Sequence, residues 1–129
     1  MRDISWNAVA AGVVAALVFA LPAGLVGAVV VDDESNNGVF VFFLVIMLGM
    51  LAGGFVAGSK RPDMPMTHGA LAGAVAYVIA QTMTVLVRVL DGTDLRSPVV
   101  YVFNALFAAS LGVVGGRLAD RRNARLGSP

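Results

Sequence analysis

Four long runs without a charged residue, Ile4–Val31, Ser35–Ser59, Met64–Val87 and Ser97–Gly116, alternate with three short charged or turn-rich breaks. Each run supplies the roughly 20 residues that an α-helix needs to cross a hydrocarbon core of about 30 Å. The pattern predicts helices over about residues 5–31, 38–58, 66–89 and 98–118, followed by a basic tail over 119–129. The expected fold class is therefore all-α: a multi-pass membrane protein, a bundle of four transmembrane helices in a single integral membrane domain. No soluble domain fits between the runs. Ser97-Pro98 is a good opening for the fourth helix, because proline is tolerated where its missing N–H has no role. Pro22 falls mid-span in the first helix and removes the hydrogen bond to the Val18 carbonyl, which predicts a bend that neighbouring helices absorb.

The breaks set the expected topology. Arg2, Lys60, Arg61, Arg117, Arg121, Arg122 and Arg125 fall on one side of the predicted membrane, against Arg88 and Arg96 on the other. The positive-inside rule then places both termini and the Ser59–Pro65 loop in the cytoplasm. The acidic turn Asp32–Gly38 and the loop Asp91–Pro98 face outward. The first run is too long for the apolar region of a secretory signal, about 7–15 residues, and a further span follows it.

Composition narrows the chemistry. Hydrophobic residues make up 58% of the chain and charged residues 13%, with a formal net charge of +1, so nothing in the charge balance points to nucleic acid. Cysteine is absent, which removes disulfides and thiolate chemistry. Lysine occurs once and isoleucine three times among abundant Ala, Val, Gly and Arg, a bias expected of a high-GC bacterial coding sequence. No phosphate loop, dinucleotide fingerprint, zinc-protease helix or serine elbow is present. No catalytic, cofactor or metal-ligating set is expected.

Small residues predict how the helices meet. Ala8, Gly12, Ala16, Ala20, Gly24 and Ala28 recur at every fourth position of the first span; shorter ladders follow as Gly49, Gly53, Ala57, as Ala72, Ala76, Ala80 beside Gly69 and Gly73, and as Ala108, Gly112, Gly116. In lipid, helices associate where small side chains let backbones approach, so these strips are the expected contact faces, with the phenylalanines facing lipid or filling gaps. The halves also resemble each other. Ala11-Gly12 aligns with Ala72-Gly73 at an offset of 61, and Gly53–Ala57 with Gly115–Ala119 at 62. Two repeated helical hairpins in the same orientation would account for this.

Polar groups within the predicted spans are few. Tyr77, Gln81, Thr84 and Arg88 share one stripe of the third helix, with Thr82 beside them and Asn104 on the fourth. The expected role is helix glue, including a Gln81–Asn104 bridge worth about 1 kcal/mol; the sharper alternative is a solute site. Arg88 is expected to snorkel or to pair with Asp91, with anion recognition as the sharper alternative. His68, in the first turn of the third span, is expected to touch water or headgroups rather than relay protons or bind metal. The segment Arg117–Leu126 is expected to continue the last helix and to meet anionic headgroups at roughly 1 kcal/mol per basic residue.

The chain resembles small, uncharacterised four-helix bacterial membrane proteins. The resemblance rests on Thr67-His68-Gly69-Ala70-Leu71-Ala72-Gly73 opening the third span and Gly53-Gly54-Phe55-Val56-Ala57-Gly58 closing the second. It implies the four-span fold and no activity. Small multidrug transporters have the same size, but their first-helix glutamate has no counterpart between Asp3 and Asp32. Two function classes follow. One is a non-enzymatic structural or accessory component of the plasma membrane, packing through its Gly/Ala faces as a homo-oligomer or within a larger complex. The other is a small channel or transporter subunit using Gln81, Thr84 and Asn104.

Overall fold

The computed structural model describes residues 3–30, 36–92 and 94–127. Arg2, Asp32, Asp33, Glu34, Ser35 and Thr93, together with the side chain of Ala28, lie outside the described set. Within it the fold is all-α: α1 Trp6–Val30, α2 Asn36–Lys60, α3 Pro65–Leu90 and α4 Pro98–Leu126. All four are long and apolar enough to cross a membrane. The boundaries follow local chemistry. Pro65 and Pro98 open α3 and α4 at positions that need no N–H. The last turn of α3 closes with Asp91 N–H donating to Val87 O at 2.9 Å, and the left-handed Gly92 (φ +69°) then turns the chain away. Helix α1 continues through Pro22, beside a shallow apolar groove lined by Val18, Phe19, Ala23, Phe42 and Val45.

Helices α2 and α3 touch each other and each touches both outer helices, whereas α1 and α4 make no contact among the described residues. The bundle is thus a rhombus with α2 and α3 across its short diagonal. Ser5, Gly58, Pro65, His68, Gly116 and Ala119 meet at one end. The α3–α4 turn forms part of the opposite end.

The interior is built of small residues. Ala8, Ala16, Ala20, Ala57, Ala72, Ala76, Ala108 and Ala119 are buried, joined by Val9, Val13 and Met50, while Leu25, Phe40, Leu48, Val78, Leu86, Phe103 and Leu106 stand on the outside. This inverts the order of a soluble bundle. A chain in water rarely leaves so continuous an apolar exterior uncovered.

Backbones touch along the seams. A Cβ on Gly12 would lie 2.5 Å from Gly53 O and 2.7 Å from the Ala57 Cβ, and one on Gly53 would lie 2.6 Å from Gly12 O. On the other side, Gly54 and Gly69 each press on the Gly112 backbone, Gly73 meets the Ala108 carbonyl, and Gly116 meets that of Pro65. Gly49 fits against Phe19 and Ala16. Phe43 and Phe107 stack across α2 and α4 with ring centroids 6.2 Å apart.

Two departures from the sequence pattern are informative. Gly24 belongs to the four-residue ladder, yet nothing lies within 4 Å of its Cβ direction; the buried residue at that level is Ala23. The glycines of the two hairpins also differ in partners. Gly12 meets Gly53, whereas Gly73 meets Ala108, and Gly115 packs on Leu51 and Phe55 of α2.

Burial is confined to part of each later helix. In α3 it ends at Ala76, and in α4 it starts at Ala108. Beyond those positions the facing side chains enlarge to Tyr77, Gln81, Tyr101 and Asn104, and the seam gives way to a recess.

Gly112→Ala is expected to destabilise the bundle by about 1–3 kcal/mol, since an overpacked interface must move backbone rather than a flexible side chain. Gly24→Ala is expected to be neutral or to stabilise by up to about 1 kcal/mol through helix propensity. Unfolding by increasing dodecyl sulfate in mixed micelles compares the two; equal effects would refute the seam assignment.

Candidate functional site

Polar chemistry gathers at the two ends of the bundle and differs in kind. At the seam end, His68 is wholly buried. Its Nε2 accepts the Ser5 backbone N–H at 3.0 Å, and its Nδ1 lies 2.8 Å from the Met64 carbonyl oxygen. A carbonyl only accepts and an amide N–H only donates, so the ring is neutral with its proton on Nδ1. The Met64 carbonyl also takes the His68 backbone N–H at 3.2 Å, closing the first turn of α3. The Ser5 carbonyl meanwhile starts α1 by accepting from Ala8 and Val9.

The expectation that His68 reaches headgroups is therefore corrected. Position beside a loop suggested exposure, but the ring is buried, with Nε2 engaged by Ser5 ahead of α1 and Nδ1 by the Met64 carbonyl ahead of α3. His68 ties the start of α1 to the start of α3. Next to it, Arg61 donates from Nε and Nη2 to the Asp63 carboxylate, each at 2.8 Å. Those hydrogen bonds hold the Asp63 carboxyl below the usual carboxylate range. Being exposed, the pair fixes the loop more than it stabilises the fold. The Arg122 guanidinium lies over the Phe55 ring, 5.7 Å from its centroid, so the basic end of α4 lies along α2.

The other end holds a recess of about 150 Å³ between α3 and α4, lined by Gln81, Thr84, Arg88, Arg96, Val100, Tyr101 and Asn104. Four of the five residues singled out in the sequence meet here. The fifth, Tyr77, sits one helical turn before Gln81 with its hydroxyl buried and unbonded; Asn104 bears on it without reaching hydrogen-bond geometry. Helix α3 carries Gln81, Thr84 and Arg88 on one stripe because their spacing follows its turn. The stripe meets α4 where the small-residue seam has ended.

The contacts inside the recess differ from those expected. Gln81 and Asn104 share its wall without a hydrogen bond between them. The Thr84 and Thr82 hydroxyls donate to the Ala80 and Val78 carbonyls at 3.1 and 2.7 Å, within their own helix. Arg88 forms no pair with Asp91; its Nη1 donates to the Asp94 backbone carbonyl at 3.2 Å, which fixes the guanidinium against the α3–α4 turn. The Tyr101 hydroxyl accepts the Arg96 backbone N–H at 3.2 Å.

Arg96 and Tyr101 are the two polar wall residues that sequence reasoning missed, beside the apolar Val100. A signal was available: Arg88 and Arg96 flank one short turn, so a helical hairpin must bring both to the same mouth. Tyr101 lies one turn before Asn104 on α4, on the same face. No protein-family model, curated protein or solved structure matches the chain. The site is therefore read from its own chemistry.

His68→Leu is expected to leave the Ser5 N–H without an acceptor and to cost about 1–3 kcal/mol. Amide exchange at Ser5 and through the first turn of α1 should accelerate, while exchange in the interior of α4 stays slow. Unaltered exchange at Ser5 would show that the imidazole does not hold the segment.

Proposed function

We propose that the chain is a small multi-pass protein of a bacterial plasma membrane, with four spans and both termini cytoplasmic, acting as a non-enzymatic structural or accessory component. The observation that carries this reading is the Gly/Ala interior beneath a continuous apolar exterior. Such a chain gains its packing only where lipid tails replace water. The charge asymmetry of the loops supports the orientation. The single histidine, neutral and bonded on both nitrogens, supports the absence of acid–base catalysis.

Because the glycine ladders meet one another within the chain, a protein partner would contact the outer faces, where Leu, Val and Phe predominate. Self-association and assembly with a larger membrane complex both fit such faces. The hairpin repeat remains part of the proposal at the level of helix order and orientation. A second reading, a small channel or transporter subunit, is favoured by the polar recess. Within one chain the recess stops where the seam begins, so a continuous path would have to run between copies.

A green fluorescent protein fused to either terminus is expected to fluoresce, and alkaline phosphatase at either terminus to stay inactive. Termini reporting opposite compartments would overturn the topology. Purification from native membranes is expected to yield a stoichiometric larger membrane partner, whereas a pure homo-oligomer would overturn assembly with a larger complex and favour the transporter reading.

A further inference from the structure

We propose that the α3–α4 recess is a binding site for a phosphate-type oxyanion. Two guanidinium groups line its wall, Arg88 from α3 and Arg96 from the turn, and no carboxylate does. Asp91 and Asp94 belong to the same turn, but neither side chain is in the wall, and Asp94 meets Arg88 through its backbone carbonyl. Among the described residues the only ion pair is Arg61–Asp63, at the opposite end. Among the described residues Arg88 uses one N–H on Asp94 and Arg96 engages only its backbone N–H, leaving most of both planar forks available.

The remaining wall adds donors. Among the described residues no hydrogen bond is made by the Gln81 or Asn104 amide, although Asn104 also bears on Tyr77, and the Tyr101 hydroxyl, already accepting from Arg96, has its proton to give. From Arg88 to Gln81 the α3 wall spans about 10 Å at 1.5 Å per residue. Charge therefore stands at the mouth and neutral donors stand deeper. A tetrahedral oxyanion, with acceptor oxygens directed several ways, matches donors arriving from two helices and a turn better than a planar carboxylate.

Size restricts the ligand further. A volume near 150 Å³ corresponds to about five waters at 30 Å³ each and falls below the roughly 300 Å³ at which drug-sized sites begin. One phosphate group fits. These two arginines also stand on the side of the predicted membrane where basic residues are scarce, so general anchoring to a cytoplasmic anionic surface does not account for them. The phosphate is either free, as inorganic phosphate or a small phosphomonoester, or belongs to a lipid headgroup. The inference stands independently of the accessory role.

The test uses the full chain in maltoside micelles with two probes, inorganic phosphate followed by calorimetry and dioleoyl phosphatidic acid followed by native mass spectrometry. Saturable 1:1 binding of at least one probe is expected. Arg88→Gln/Arg96→Gln should weaken it by roughly tenfold or more, and Arg117→Gln/Arg121→Gln should leave it unchanged. Inorganic phosphate alone binding identifies a free anion; phosphatidic acid binding against a diacylglycerol control identifies a headgroup. Saturable binding of neither probe, or equal binding by the Arg88/Arg96 variant, overturns the proposal. If that variant fails to fold by circular dichroism, Arg88→Lys/Arg96→Lys replaces it. Lysine keeps the charge but not the fork, so binding should weaken severalfold, and wild-type affinity would overturn the proposal.

Discussion

Backbone-to-backbone approach at the glycine seams is the constraint from which the rest of this structure follows. Where Gly54, Gly69 and Gly112 converge, a side chain of any size would displace a carbonyl or a neighbouring Cα. In hydrocarbon this approach replaces the hydrophobic force that holds a soluble bundle together, because only close contact distinguishes a helix neighbour from an acyl chain. Dispersion and Cα–H···O contacts accumulate along such seams. One consequence is architectural: large side chains are pushed to the exterior. Another is functional: the seam half leaves no space for a solute, and any site must form where the seam stops.

The helices and their contact faces were legible in the sequence because both depend on local spacing. Long uncharged runs with prolines at two of the starts placed four elements whose ends shift by only a few residues, with α4 continuing through Arg117–Leu126 as expected of that segment. The ladder in α1 was legible only in part. A step of four residues turns a helix by about 400°, so each rung drifts by about 40° from the last. From Ala8 to Gly24 the accumulated drift is about 160°, which carries Gly24 off the contact face and brings Ala23 onto it. The four-residue repeat thus marks the face for four rungs, Ala8 to Ala20. The long ladder looked more exceptional than a straight helix allows.

His68 was illegible for a different reason. Its environment depends on Ser5, 63 residues away in sequence, and no local pattern announces that the short segment before α1 will reach the start of α3. The residues of the recess show the intermediate case. Tyr77, Gln81, Thr84 and Arg88 could be grouped by helical spacing, and Asn104 by its depth in the next span. What sequence could not supply was the distance between the walls, which depends on where Gly73 and Ala108 stop holding α3 and α4 together. That distance decides whether Gln81 and Asn104 bond to each other or face a cavity.

The answer changes the meaning of these two amides. Paired with one another, they would be mutual hydrogen bonders satisfied inside the bundle. Facing a recess, each would be costly in hydrocarbon unless water or a ligand meets it. About five waters would meet that need, and the arginines at the mouth connect the space to the polar end of the bundle. The recess is then open on one side and closed by the seam on the other. Its closure separates binding from passage: a single copy can hold an anion there without offering a route across. The two functional classes therefore diverge at the seam, because passage would require the glycine contacts to part or a second copy to supply the missing wall.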